Sequence, residues 1–157
     1  MKRIFLLLLV VSSLTSFAPE AHAVGKKKKK KIEAAIKKAK SLIGTPYKFG
    51  GTTRKGMDCS GLTSTAYSAA GVQLPRTSSS QSTFGKSRST SALQKGDLVF
   101  FAMGKKKRKI THVGIVSRVK DPQHIYFIHA SVSHGVIETN LMETYYKKRL
   151  RKARRIF

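Results

Sequence analysis

One thiol and two imidazoles are the side chains of this sequence best placed for covalent chemistry. Cys59 is the single cysteine and sits in Met57-Asp58-Cys59-Ser60-Gly61-Leu62, where a glycine-rich loop gives way to apolar positions at three- and four-residue spacing. Leu62, Ala66, Tyr67 and Ala70 mark the inner face of a helix ending at Gly71, with Cys59 in its first turn. The open N–H groups and partial positive charge of a helix N-terminus favour thiolate, and Asp58 is suited to cap it. Cysteines in such positions titrate at roughly 3.5 to 7.5 rather than about 8.5. Cys59 is therefore a plausible nucleophile; the alternative for a lone cysteine is a small buried hydrophobe. There is no second thiol for an internal disulfide or a cysteine-rich zinc site.

A thiol nucleophile needs a base. His112 lies in the alternating stretch 110–119 and His129 in the stretch 125–130. Paired as a hairpin around a loop at 120–123, these strands set His112 opposite Ser131 and Gly114 opposite His129, so the two histidines become diagonal neighbours on one face. Packed beneath the Cys59 helix, that face would bring one imidazole to the thiol and a second behind the first. The set is then a nucleophile, a base and an orienting group. Gly114 would leave room for a helix or a substrate to approach. His22, His124 and His134 are read as ordinary polar residues. A metal on His112 and His129 lacks a carboxylate placed nearby in sequence, and thiol chemistry of this kind needs no cofactor and no metal.

The elements that must hold these residues follow in order. Ile32, Ala35, Ile36, Ala39 and Ile43 form the apolar stripe of a helix stopped by Gly44-Thr45-Pro46. Tyr47 comes next, either a half-buried aromatic or a hydroxyl aimed at the reacting centre. Arg76 and Gln81, in a turn and short helix, are candidates to contact a substrate carboxylate or amide, with a solvated loop as the alternative. The run 98–101 suits a strand buried on both faces, and 136–139 a further strand. The basic C-terminal stretch offers Leu150, Ala153 and Ile156 to the core. Helices first and an antiparallel meander after them predict an α+β domain.

Composition sets the wider frame. A basic start, an apolar run from Ile4 to Leu14 and Ala21-His22-Ala23 read as a secretory signal, residues 1–23, too short in its apolar part to anchor in a bilayer. No cysteine follows it for lipid attachment, and no later run is long enough to span a membrane. The formal net charge of +25 falls by only one when Lys2, Arg3 and Glu20 leave with the signal. The excess is concentrated in the basic N-terminal segment 24–31, in 105–109 and in 147–155. Such a field attracts polyanions, and export favours anionic envelope polymers or lipid over nucleic acid. Aromatics are not interleaved with the basic runs as stacking platforms would require, which also argues against nucleic acid. The run 26–31 alone also fits a solvated tail.

The ordered motifs Gly44-Thr45-Pro46-Tyr47-Lys48-Phe49-Gly50-Gly51, Asp58-Cys59-Ser60-Gly61-Leu62, Leu74-Pro75-Arg76-Thr77, Gly96-Asp97-Leu98-Val99-Phe100-Phe101, His112-Val113-Gly114-Ile115 and Ile128-His129-Ala130-Ser131 resemble the NlpC/P60 family of bacterial cell-wall endopeptidases, which are papain-like cysteine peptidases. The resemblance implies a papain-like catalytic domain over 32–157, with Cys59 as nucleophile, His112 as base and His129 orienting His112. It also implies a place for Tyr47 near the oxyanion and for Asp58 and Ser60 in substrate recognition. The implied substrate is the stem peptide of peptidoglycan, cut between D-glutamate and the following diamino acid, by a monomer in the periplasm or the extracellular wall. Stem-peptide carboxylates suit the basic surface, whose patches would supply wall affinity. Two other readings share the fold: a non-catalytic binder of anionic envelope polymers, and a thioester-based acyltransferase or amidase.

Overall fold

The computed structural model describes residues 19–157, with side chains from Gly25 onward, so most of the expected signal segment lies outside the described residues. Helix α1 (Pro19–Ser41) runs without a break through Lys26–Lys31. The basic segment 24–31 is therefore the middle of a helix, where lysine is a good former. From Gly25 onward, its buried stripe is Ala35, Ile36 and Ala39, continued by Leu42. Ile43, expected on that stripe, is exposed because the helix has ended and the chain turns at Gly44, φ +87°.

Strands β1 (Thr52–Thr53) and β2 (Gly56–Met57) make a small hairpin that delivers the chain to helix α2 (Cys59–Ser68). A single turn, α3 (Ser78–Gln81), follows. The rest is one antiparallel sheet in the order β3 (Lys86–Arg88), β8 (Leu150–Arg155), β4 (Leu98–Phe101), β5 (His112–Asp121), β6 (His124–Ser131), β7 (Gly135–Asn140), with the turn α4 (Thr144–Lys147) leading into β8. The expected α+β class is the one found. Sequence reasoning did not find β3, α4 or the strand character of β8, which enters the sheet between β3 and β4.

Helices α1 and α2 cover one face of the sheet. There Leu62, Ala66 and Tyr67 pack on Leu98, Phe100, Val113, Ile115, Ile128 and Ala130, each large side chain contributing on the order of 1.5–3 kcal/mol by burial. The other face buries Val99, Phe101, Val116, Phe127, Leu141 and Ala153 under Tyr146 and Leu150. β4 is covered on both sides, as its unbroken apolar run predicts.

The β5–β6 hairpin reaches its register by an unexpected route. Its turn spans only Pro122-Gln123, because Asp121 pairs with His124, and its carboxylate accepts the Gln123 and His124 N–H groups. Two bulges, at Lys120 and Ser117, then restore the pairs Val116 with Phe127 and Ile115 with Ile128. Near the histidines the register is thus the one a four-residue loop would have given.

Candidate active site

Cys59, the candidate nucleophile, is set by the cap of its helix. Asp58 caps α2, one carboxylate oxygen accepting the Gly61 N–H at 2.7 Å and the Ser60 hydroxyl at 3.0 Å. The other oxygen accepts the Gly50 N–H at 3.0 Å and Arg76 Nη2 at 2.6 Å, while Arg76 Nη1 reaches Asp58 and Ser60 Oγ at 3.0 and 2.9 Å. Burial works against ionisation of Asp58, but the Arg76 guanidinium, the Gly61 N–H and the Ser60 hydroxyl outweigh it and hold the carboxyl below its usual range. Gly61 permits the tight loop-to-helix join, since a Cβ there would collide with the Gly51 carbonyl. Cys59 thus leaves the first turn of a helix pinned on the loop it came from.

The thiol itself departs from expectation. Cys59 is 7% exposed, and burial pushes its pKa up, aided by the Asp58 carboxylate. The N–H groups of Val113, Ser60 and Cys59 pull it down without prevailing. The capped helix N-terminus therefore does not yield a resting thiolate; the carboxylate that caps it is part of the reason.

His112 Nε2 lies 2.9 Å from His129 Nδ1, and His129 Nε2 lies 3.2 Å from Thr139 Oγ1. For His112 Nδ1 to accept a thiol proton, Nε2 must carry hydrogen and donate to His129 Nδ1. His129 must then carry its own hydrogen on Nε2 and donate to Thr139. The rings are fixed by packing: His129 stacks on Phe127 at 4.5 Å and meets the edge of Tyr146 at 5.1 Å, while Phe101 lies against His112. Burial drives both imidazoles toward the neutral form, His112 to about 4 and His129, with His112 beside it, to about 3. The resting set is a neutral thiol and two neutral imidazoles, suited to proton transfer during attack rather than to a standing ion pair.

The histidine face is not the one beneath α2, contrary to expectation. α2 packs on Val113, Ile115, Ile128 and Ala130, whereas His112 and His129 belong to the opposite face with Phe101 and Phe127. Cys59 and His112 instead both line a cavity of about 510 Å³ at the start of β5. Gly114 is likewise reassigned. A Cβ there would come 2.5 Å from Phe127 Cδ2 and 2.9 Å from the Ile128 carbonyl, so the residue admits strand β6, not a helix or a substrate.

Tyr47 lines the same cavity. It is held by paired bonds between Gly44–Thr45 and Val136, and by Pro46 and Lys48 bonding Met57. Partial burial and the neighbouring Cys59 and Asp58 raise its pKa, so the phenol remains a hydrogen-bond donor. Asp58, Ser60 and Arg76 do not line the cavity; they form the network behind the nucleophile. Gln81, considered for substrate contact, is fully buried and bonds Thr63, Ser60, Ser64 and Pro75. Sequence reasoning missed Thr139, Tyr145, Tyr146 and the placing of exposed His134 on the cavity wall. The tyrosine pair inside a basic stretch was the available signal for α4. Among the described residues no cluster of three or more His, Cys, Asp or Glu is arranged to hold a metal.

A sequence profile described as "NlpC/P60 family" matches residues 44–155. The murein DD-endopeptidase MepS/murein LD-carboxypeptidase of Escherichia coli K12 is 44% identical over 114 residues, 72% of this chain and 56% of the relative. The chain thus spans little more than half the length of that protein. The probable endopeptidase NlpC of Escherichia coli K12 is 41% identical over 117 residues, 74% of this chain and 72% of the relative. Among solved structures, an NlpC/P60 family protein from Bacillus cereus superposes with TM-score 0.70 at 34% identity, covering 80% of this chain and 40% of the other.

Proposed function

Because the chain belongs to the NlpC/P60 family, we propose that it is an exported cysteine endopeptidase that hydrolyses amide bonds in peptidoglycan stem peptides. The observation that carries the reading is the convergence of Cys59, His112, His129 and Tyr47 on one cavity, with His112 tied at 2.9 Å to the imidazole that orients it. Cys59 attacks the carbonyl carbon as its proton passes to His112 Nδ1. The Cys59 N–H and the Tyr47 hydroxyl stabilise the oxyanion. His112 returns the proton to the departing amine, leaving a thioester, and then activates the water that hydrolyses it. Asp58, Ser60 and Arg76 hold the nucleophile in register. The signal segment supports export to the periplasm or wall, and cleavage after Ala23 would leave α1 starting at Val24. No helix among the described residues is long and apolar enough to cross a membrane.

The bond assigned is that between D-glutamate and the diamino acid. A second reading, cleavage of the D,D cross-link, is favoured by the name of the 44% identical relative. Incubating the mature protein and its Cys59→Ala variant with purified peptidoglycan and defined stem peptides, followed by mass spectrometry, tests both. New amine and carboxyl ends from the intact protein alone are expected, and their masses distinguish the two bonds. Transfer products in place of water addition would indicate an acyltransferase. Wall binding without cleavage by either protein would leave only a binder.

A further inference from the structure

Beside the catalytic cavity lies a second cleft of about 460 Å³, lined by Lys105, Lys107, Lys148, Arg149 and Arg151, with no acidic side chain in its wall. Gly104 lines both spaces, so the two adjoin. The arginines are fixed in advance. Arg151 Nε donates to the Lys107 carbonyl at 2.7 Å and Nη1 to the Lys148 and Leu150 carbonyls. Arg149 lies 3.9 Å over the ring of Tyr145, a wall of the catalytic cavity, and bonds its carbonyl. None of the ion pairs among the described residues involves these three lysines. Folding therefore gathers five cations into one concavity, at a cost in mutual repulsion that an anion would relieve, and two of them are ordered before any ligand arrives.

We propose that this cleft is an anion-binding subsite adjoining the catalytic cavity, and that it takes a multiply charged phosphate- or carboxylate-bearing segment of the wall polymer while a neighbouring amide lies at Cys59. The assignment rests on the hydrolase reading for the second half of that statement only. A chain bound across Gly104 has its anionic part in the basic cleft and its scissile bond at the thiol. Five cations exceed what a single carboxylate requires, so the ligand carries at least two charges.

The test uses the full mature chain and a Lys105→Gln/Lys107→Gln/Lys148→Gln variant. Binding is measured on the Cys59→Ala background, by calorimetry with tripolyphosphate and with triglutamate. Turnover is measured on intact wall, on wall stripped of phosphodiester polymers, and on stem peptides with free or amidated carboxylates. The triple variant is expected to bind the polyanions about tenfold more weakly, with a shallower dependence of log affinity on log salt, and to raise KM rather than lower kcat. A KM effect confined to unstripped wall assigns the charges to phosphodiesters; one confined to free-carboxylate peptides assigns them to the stem peptide. Equal polyanion affinity and salt slope with and without the lysines would overturn the subsite. Absence of any turnover beside lysine-dependent binding would overturn the hydrolase reading and leave the subsite standing.

Discussion

At the residue scale, the proposed mechanism depends on keeping two buried imidazoles neutral and correctly tautomeric. Thr139 holds the far end of that arrangement. Thr139→Val should lower kcat about fivefold to tenfold with little change in KM, as loss of one hydrogen bond worth about 1–1.5 kcal/mol implies, and Thr139→Ser should restore it. The raised Cys59 pKa gives a second expectation: alkylation by iodoacetamide should climb steadily through pH 6–9. A standing thiolate–imidazolium pair would instead give a plateau across that range. Stability has its own pH window. Both histidines titrate lower in the folded chain than the unfolded value of about 6.5, so unfolding takes up protons at acid pH. Their contribution is complete above about pH 6.5 and is lost as pH falls toward 4, which urea midpoints at pH 7, 5 and 4 will reveal. The placing of Cys59 at a helix start and of His112 beside His129 was legible in the sequence because a helix start, a strand period and a hairpin register can all be read locally. Thr139 was not, since a threonine in β7 differs from any other until the sheet sets it 3.2 Å from an imidazole. The thiol's acidity was misread for a related reason: a helix N-terminus is local, but burial is a property of the packed chain.

At the element scale, the sheet is locked at one end by a buried ion pair. Asp97 is fully buried, and both its oxygens bond Arg155, at 2.7 and 2.8 Å, joining the entry to β4 to the end of β8. Asp97→Ala should cost about 3–5 kcal/mol, because it strands a largely buried guanidinium; the double change with Arg155→Met should cost less, both measured by chemical denaturation. Leu62→Ala, on the buried face of α2, should cost about 2–5 kcal/mol by the same measurement. The helices and central strands were legible from their periods. Strand β8 was not, because Leu150–Arg155 carries four cationic side chains in six positions, a composition that reads as a solvated tail. Only Ala153, 1% exposed, faces fully inward. The hairpin succeeded by compensation: a turn two residues shorter than supposed was offset by two bulges that no local signal announced.

At the scale of the whole molecule, charge and topology act together. The basic runs that are far apart in sequence, 105–109 and 147–155, become the two walls of one cleft because β8 lies beside β4. Net charge was legible from composition; its gathering next to the Cys59 cavity required the strand order. That order also governs how the molecule comes into being. The gap between β3 and β4 is filled by a strand synthesised after every other strand, so the chain up to Arg149 emerges with an incomplete sheet in which the facing edges of β3 and β4 are unpaired. A chain threaded through an export channel must be unfolded. Here the order of synthesis itself delays closure of the sheet until β8 has been made, which on the export reading proposed above favours an open chain before transit.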